Sequence, residues 1–489
     1  MKHSKIAYLV VVICALLAFS LSMAIGLKQS IWFDEAYSIL VAQQQPSEII
    51  ALTAVDTHPP LYYLLLHVWG NIFGWSESAV RSLSALALGG LVVVAAVFAQ
   101  KLFGWRTAIL VAFLIVFSPM LLRYGFEIRM YSVASLIGCL ATLVLVYASE
   151  TTGRRRILLL MSYAVLVAVG TMTLYNLVYV WLAHVAWLLY RHNPLKQSEH
   201  KELYVWFGVY ISSIILVSPW LPTLFQQISN GALAPISESL TLTNLLSVVT
   251  FNSMYQPVWM LGPVISLVAL AYFVALGYLL WSGRTIFTRS KSAILPLLYV
   301  SVPIVVLTLI SILKPLYVER YLSFIAVGYT MVIAVLLAEV WRSPSRKRLL
   351  AGGMIFVAMI LGVVQLAQVG NYNFQRLQHP EVREAAMFAL SRCNEPDTIV
   401  LAGDPYVATE FKYYLADSCG LTFYSPYDSL GGGYAPIQAH AKQVKTINPS
   451  LDANTVLLAY YGETDIQLAG TVTEEHFWGS LRIDVINVE

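Results

Sequence analysis

The sequence predicts a polytopic α-helical membrane protein with a small α/β domain at its C-terminal end. Three observations point there. Of 489 residues, 58% are hydrophobic and 12% charged, where an ordinary soluble domain carries about 25% charge. Eleven apolar runs succeed one another up to about residue 370. Beyond about residue 371 the apolar saturation gives way to the alternation of a water-exposed fold. With a mean hydropathy of +0.69, a water-soluble chain could not hide so much apolar surface. The composition excludes a disordered chain, a coiled coil and a disulfide-rich secreted module. The net charge is only +3 and no basic stretch is interleaved with aromatics, so no nucleic-acid partner is expected.

The first run, 6–27, meets the ~20 residues that cross the hydrocarbon at ~1.5 Å each. Lys2 and Lys5 precede it as they would a signal peptide. The run is too long for an h-region, however, and Gly26-Leu27-Lys28 is a poor cleavage site, so a retained first helix is expected. The other runs are 79–100, 107–122, 130–148, 157–174, 176–190, 203–221, 258–281, 293–313, 321–340 and 349–369. About eleven transmembrane helices follow.

Basic residues set the orientation. With the N-terminus cytoplasmic, the inner segments carry Lys2 and Lys5; Lys101 and Arg106; Arg154, Arg155 and Arg156; Arg191, Lys196 and Lys201; Arg284, Arg289 and Lys291; and Arg342, Arg346, Lys347 and Arg348. Ahead of the tail, the outer segments carry only Lys28, Arg81, Arg123, Arg129, Lys314 and Arg320. This is the positive-inside bias. An odd number of spans then places the C-terminal domain outside a cell (plasma) membrane.

The expected organisation is a membrane domain, 1–370, and an extracytoplasmic α/β domain, 371–489. Two outer loops are long, 28–78 and 222–256. The tail reads as a helix over 379–393 started by Pro380, a strand over 398–402, a helix over 406–416, and strands over 421–424, 455–460 and 481–488. Gly431-Gly432-Gly433 lacks the spacing of a phosphate cradle. Cys14 and Cys139 fall in spans as small apolar residues. Cys393 and Cys419 share the outer domain and could pair on an oxidising side.

The chemistry-bearing residues cluster on the outer side. The first loop holds Trp32-Phe33-Asp34-Glu35-Ala36-Tyr37-Ser38. It reads either as a solvated loop with interfacial aromatics or as a general base that deprotonates an acceptor hydroxyl. Next come Asp56-Thr57-His58-Pro59-Pro60-Leu61-Tyr62-Tyr63. There Asp56 or Thr57 would cap an amphipathic helix running through Trp69, and the turn would fix Asp56 and His58 in place. Asp34, Asp56 and His58 are also suitable ligands for a divalent cation, a reading ranked below the general base. The short turn Arg123-Tyr124-Gly125-Phe126-Glu127-Ile128-Arg129-Met130-Tyr131 and the later Lys314-Pro315-Leu316-Tyr317-Val318-Glu319-Arg320-Tyr321 place cations on the face where they are disfavoured. Glu127 and Glu319 are candidate local partners. Guanidinium also grips phosphate at two points.

In these four segments the chain resembles the GT-C glycosyltransferases, in particular the protein-mannosyltransferase-like family 39 and the aminoarabinose transferases. The likeness covers about residues 6–370 and rests on order, spacing and side of the membrane. It implies a GT-C-like fold and a polyprenyl-phosphate-linked sugar donor. It implies transfer to a lipid, glycan or protein acceptor on the extracytoplasmic side, with inversion. It makes Asp34 the catalytic carboxylate and Glu35 an acidic helper. Arg129 and Arg320 would hold the lipid phosphate, with Lys314 a weaker candidate. Asp56, His58, Tyr62, Arg123, Glu127, Tyr131 and Tyr321 complete the expected substrate site. No cofactor is required by the pattern, a divalent cation remaining a candidate, and membrane lipid is an expected partner. The rival class is a transporter or flippase of lipid-linked glycans, which more often carries ionisable groups at mid-membrane depth; most spans here lack them. A pseudo-enzyme recruiting partners through its outer domain is a third reading, disfavoured by intact Asp34, Arg129 and Arg320.

Overall fold

The computed structural model describes residues 2–229, 241–313, 318–372, 381–393, 395, 397–416, 418–428, 430–449 and 451–488. Lys314, Pro380 and part of the second long loop lie outside the described residues. The chain divides into two compact units that do not follow linear order. One comprises residues 1–25, 81–126 and 130–368. The other joins 26–80 and 127–129 to 369–489.

The first unit is helical. Among the described residues nine helices are long and apolar enough to cross a bilayer, from Lys5–Gly26 to Arg346–Val369. A tenth candidate is the pair Trp105–Val116 and Pro119–Phe126, bent by 60°. Pro119 has no N–H to continue the ladder, so the expected span 107–122 breaks there. The run 176–190 forms Val178–Arg191, only 14 residues long. The expectation of about eleven spans therefore becomes nine or ten by length, and the chain is a multi-pass membrane protein. The short helix is tied in by a buried polar chain. Tyr163 Oη lies 2.8 Å from His184 Nδ1 and 2.8 Å from Tyr210 Oη, and His184 Nε2 lies 2.9 Å from Thr142 Oγ1. Thr142 in turn donates to the Gly138 carbonyl (2.7 Å), so each polar side chain of this one chain of contacts has a partner.

The second unit contains a six-stranded sheet: β1 (Thr398–Ala402), β2 (Gly420–Tyr424), β3 (Lys442–Val444), β4 (Thr455–Tyr461), β5 (Gly470–Trp478) and β6 (Leu481–Val488). The order is β3-β2-β1-β4-β6-β5. The first four strands are parallel, for instance Val400 opposite Leu421 and Leu457. β6 runs antiparallel to both β4 and β5. Successive β1 residues point to opposite faces, Val400 and Ala402 into one core and Leu401 into the other. Helices Val382–Arg392 and Pro405–Leu415 cover the first face with Val382, Ala386, Phe411 and Leu415. A disulfide joins Cys393 to Cys419, their Cα atoms 5.6 Å apart. Cys14 and Cys139 are buried and free. The sequence reading missed β3 and β5, short or exposed strands that bury too little to show a period.

The first long loop holds more helix than the single one expected through Trp69. It forms helices Phe33–Ala42 and Pro46–Ala54 before the expected Leu61–Phe73. That last helix starts from Pro60 with no side-chain cap. The expected cap by Asp56 or Thr57 is thus incorrect: both residues lie too far upstream and turn towards His58 instead.

Candidate active site

The site in the second unit begins with Trp32, whose extended backbone opens helix Phe33–Ala42. The Trp32 carbonyl accepts the Glu35 and Ala36 amides at 2.9 Å each. Asp34 and Glu35 fall in the first turn, where the helix dipole favours negative charge. Adjacent residues point about 100° apart around a helix of 3.6 residues per turn, and the two acids have different surroundings. Glu35 is fully buried and its Oε1 accepts the Ile128 amide at 3.0 Å. Asp34 stays partly exposed.

Arg129 organises the rest. Its neighbours in the tight turn are Glu127, buried, whose carbonyl accepts the Arg129 amide at 2.8 Å. Arg129 is 4% exposed. Its Nη1 donates to the Asp34 carbonyl (3.3 Å), Ser38 Oγ (3.2 Å) and Tyr63 Oη (3.4 Å). Its Nη2 lies 3.4 Å from His58 Nε2. Guanidinium can only donate, so Nε2 is the acceptor and His58 carries its proton on Nδ1. That proton faces Thr57 Oγ1 (2.8 Å) and Asp56 Oδ2 (3.4 Å).

Electrostatics follow from this chain of contacts. Burial depresses the His58 pKa, and the Arg129 charge depresses it further; Asp56 and Asp34 pull the other way without restoring the ordinary 6.5. The imidazole is therefore neutral at pH 7. Burial alone would raise the Asp56 carboxyl, but the hydrogen bond and charge of His58, the Thr57 backbone and Arg129 leave it below its usual 3.8. Burial, then the Asp56 charge, holds the Tyr37 phenol well above 10. Tyr37 packs edge-on against Tyr63 with ring centroids 6.0 Å apart, and Tyr62 does so at 5.8 Å. The arrangement thus pairs a partly exposed carboxyl group at Asp34 with a frame of Glu35, Arg129, His58 and Asp56.

The structure brings together Asp34, Glu35, Asp56, His58, Tyr62, Glu127 and Arg129 within one unit. Arg123, Tyr131, Arg320 and Tyr321 belong to the other unit. There the Arg123 guanidinium lies over Tyr124 (5.2 Å) and Tyr255 (6.0 Å). Tyr131 is buried against Tyr124, centroids 4.6 Å apart. Arg320 and Tyr321, half-buried, lie in a single helical turn, Glu319–Leu322. Both nitrogens of His58 face protein groups. Among the described residues no three His, Cys, Asp or Glu side chains gather to hold a metal ion, so the lower-ranked alternative of Asp34, Asp56 and His58 as a ligand triad is not formed there. Sequence reasoning missed Tyr37, Ser38 and Tyr63 as members of the frame. Ser38 and Tyr37 stand four and three residues after Asp34, a spacing that becomes visible only once the segment is known to be helical.

The family model described as dolichyl-phosphate-mannose-protein mannosyltransferase matches residues 57–222. No curated protein matches the chain. Among solved structures, ArnT from Cupriavidus metallidurans bound to undecaprenyl phosphate superposes with a TM-score of 0.65 at 12% identity, covering 98% of each chain. The chain has the GT-C fold. The GT-C likeness extends to the oligosaccharyltransferase of Archaeoglobus fulgidus in complex with Zn and sulfate, with a TM-score of 0.54 and 13% identity over 92% of this chain and 67% of that one. It extends also to archaeal AglB in complex with an inhibitory peptide and a dolichol-phosphate, with a TM-score of 0.52 and 11% identity over 93% and 69%.

Proposed function

We propose that the protein is a membrane glycosyltransferase that moves a sugar from a polyprenyl-phosphate donor to an acceptor on the extracytoplasmic side of a cell membrane, with Asp34 as the general base. The observation that carries this reading is the grip of Arg129 on the first turn of the Asp34 helix, which fixes the backbone while leaving the carboxylate partly exposed. The family-model match and the undecaprenyl phosphate bound to ArnT support a lipid-linked donor.

In the proposed step Asp34 takes the proton of the acceptor hydroxyl as its oxygen bonds to the anomeric carbon. The bond from that carbon to the phosphate oxygen breaks, and its electron pair leaves with the polyprenyl phosphate. One displacement inverts the centre. Glu35 orients the turn of Arg129 through the Ile128 amide. Arg129 offsets the standing charge of the buried Asp56 carboxylate, and Arg320 serves as a cation for the charge that grows on the departing lipid phosphate.

A general base contributes roughly 10²–10⁴-fold. Asp34→Asn, purified in detergent with a labelled polyprenyl-phosphate sugar, should lose that much release of polyprenyl phosphate while its thermal transition is kept. Near-normal transfer by a folded Asp34→Asn protein would overturn the assignment.

A further inference from the structure

The C-terminal domain carries no recognisable catalytic motif, yet it holds the segment that leads into Asp34. Four residues of that segment are bound in turn. Arg383 Nη2 donates to the Gln29 carbonyl at 2.6 Å, and the Arg383 amide donates to Ser30 Oγ at 3.1 Å. Tyr414 Oη accepts the Ile31 amide at 2.7 Å and donates to Glu77 at 3.0 Å. Glu410 Oε1 accepts the Phe33 amide at 3.0 Å, while its Oε2 accepts the Tyr461 hydroxyl at 2.9 Å. Glu410 is fully buried. The Phe33 ring stacks on Tyr406 (4.5 Å, 8°) and leans on Tyr434 (5.3 Å).

The second acidic segment is touched as well. A Cβ placed on Gly432, in the triple-glycine stretch, would run into the Val55 carbonyl and come within 3.0 Å of the Asp56 Cα. That glycine is needed for a close backbone approach rather than for phosphate binding.

The sheet topology explains why the grip falls here. In open parallel sheets ligands bind beyond the carboxyl ends of the strands, where connections diverge to either side. In this sheet β1 has β2 on one side and β4 on the other. Tyr406 and Glu410 lie on the helix that follows β1, and Tyr461 ends β4. The place where a ligand would bind is filled by Phe33, the residue before Asp34.

We propose that Glu410 is a positioning residue for Asp34, and that the C-terminal domain, through Glu410, Tyr406 and Gly432, sets the placement of both acidic segments. The inference rests on the reading of Asp34 as the base. A reacting group displaced by about 1 Å can lose on the order of 10²-fold in rate. A buried carboxylate that fixes the neighbouring amide controls such a displacement without touching substrate.

The test uses the full chain in detergent, with turnover of a labelled polyprenyl-phosphate sugar and hydrogen exchange of peptides spanning 30–38 read in parallel. Glu410→Ala should speed exchange at the Phe33 amide and lower kcat by roughly 10–100-fold, leaving KM for the lipid donor within about twofold. Glu410→Gln keeps an oxygen for Phe33 and an N–H for Tyr461, and should restore both readouts. Tyr406→Ala removes the ring stack while sparing the carboxylate, and should move exchange and kcat the same way if Glu410→Ala does not fold. Unchanged exchange and kcat in folded Glu410→Ala would overturn the proposal. So would loss of kcat in Glu410→Gln with the Phe33 amide still protected. Faster exchange in Glu410→Ala with no sugar transfer by any protein, wild type included, would leave the positioning role standing and remove the base assignment.

Discussion

Replacing Arg129 with glutamine disconnects the frame around Asp34 at its centre. The guanidinium makes four contacts of 3.2–3.4 Å, to the Asp34 carbonyl, Ser38, Tyr63 and His58. At that length each is worth about 0.5–1 kcal/mol rather than the larger figure of a short charged bond, so Arg129→Gln should cost about 2–4 kcal/mol. The variant also changes the pH dependence in a way that a simple packing defect would not. His58 is held below 6.5 first by burial and then by the Arg129 charge. A folded state that disfavours the imidazole proton loses stability as pH falls from 6.5 toward the folded pKa, because the unfolded chain takes up the proton first. Removing Arg129 removes one depressing cause, raises the folded pKa and narrows that window. Asp56 does not confuse the comparison, because its contribution is lost only below 3.8. Thermal unfolding in detergent, followed by tryptophan fluorescence at about pH 7.5 and about pH 5.5, should show a lower midpoint for Arg129→Gln but a smaller further drop on acidification than in the wild type. An equal or larger acid drop in the variant would refute the Arg129–His58 coupling.

Two other perturbations separate donor binding from scaffold stability. Arg320→Ala should raise KM for the polyprenyl-phosphate donor while changing kcat little; a donor affinity equal to wild type would leave the arginine with a structural role only. Cys393→Ser opens a disulfide that spans 26 residues. In the loop-entropy model that costs about 3.5 kcal/mol, to be read as a lower unfolding midpoint of the C-terminal domain under oxidising conditions. A midpoint that does not move would mean the bridge does not form in solution.

The sequence alone determined the class of protein and much of its inventory. Charge is too costly in hydrocarbon to be scattered, so apolar runs and the placement of lysine and arginine are legible without coordinates. The strand bounds 398–402 and 481–488 were legible for a related reason, since buried strands flanked by turn residues leave a sharp compositional edge. Asp34, Asp56, His58 and Arg129 stood out because charges beside aromatics near a membrane need an explanation. What the sequence could not decide was which groups meet. Local periodicity reaches only to the next helical turn, whereas Arg129 lies 95 residues from Asp34 and Phe33 lies 377 residues from Glu410. Those contacts exist only after the chain has folded back on itself. The divergent fates of Asp34 and Glu35 needed the same information. A ten-residue helix with no side-chain cap gives little local signal, and the partner of the buried Glu35 is the Ile128 amide, from a distant turn.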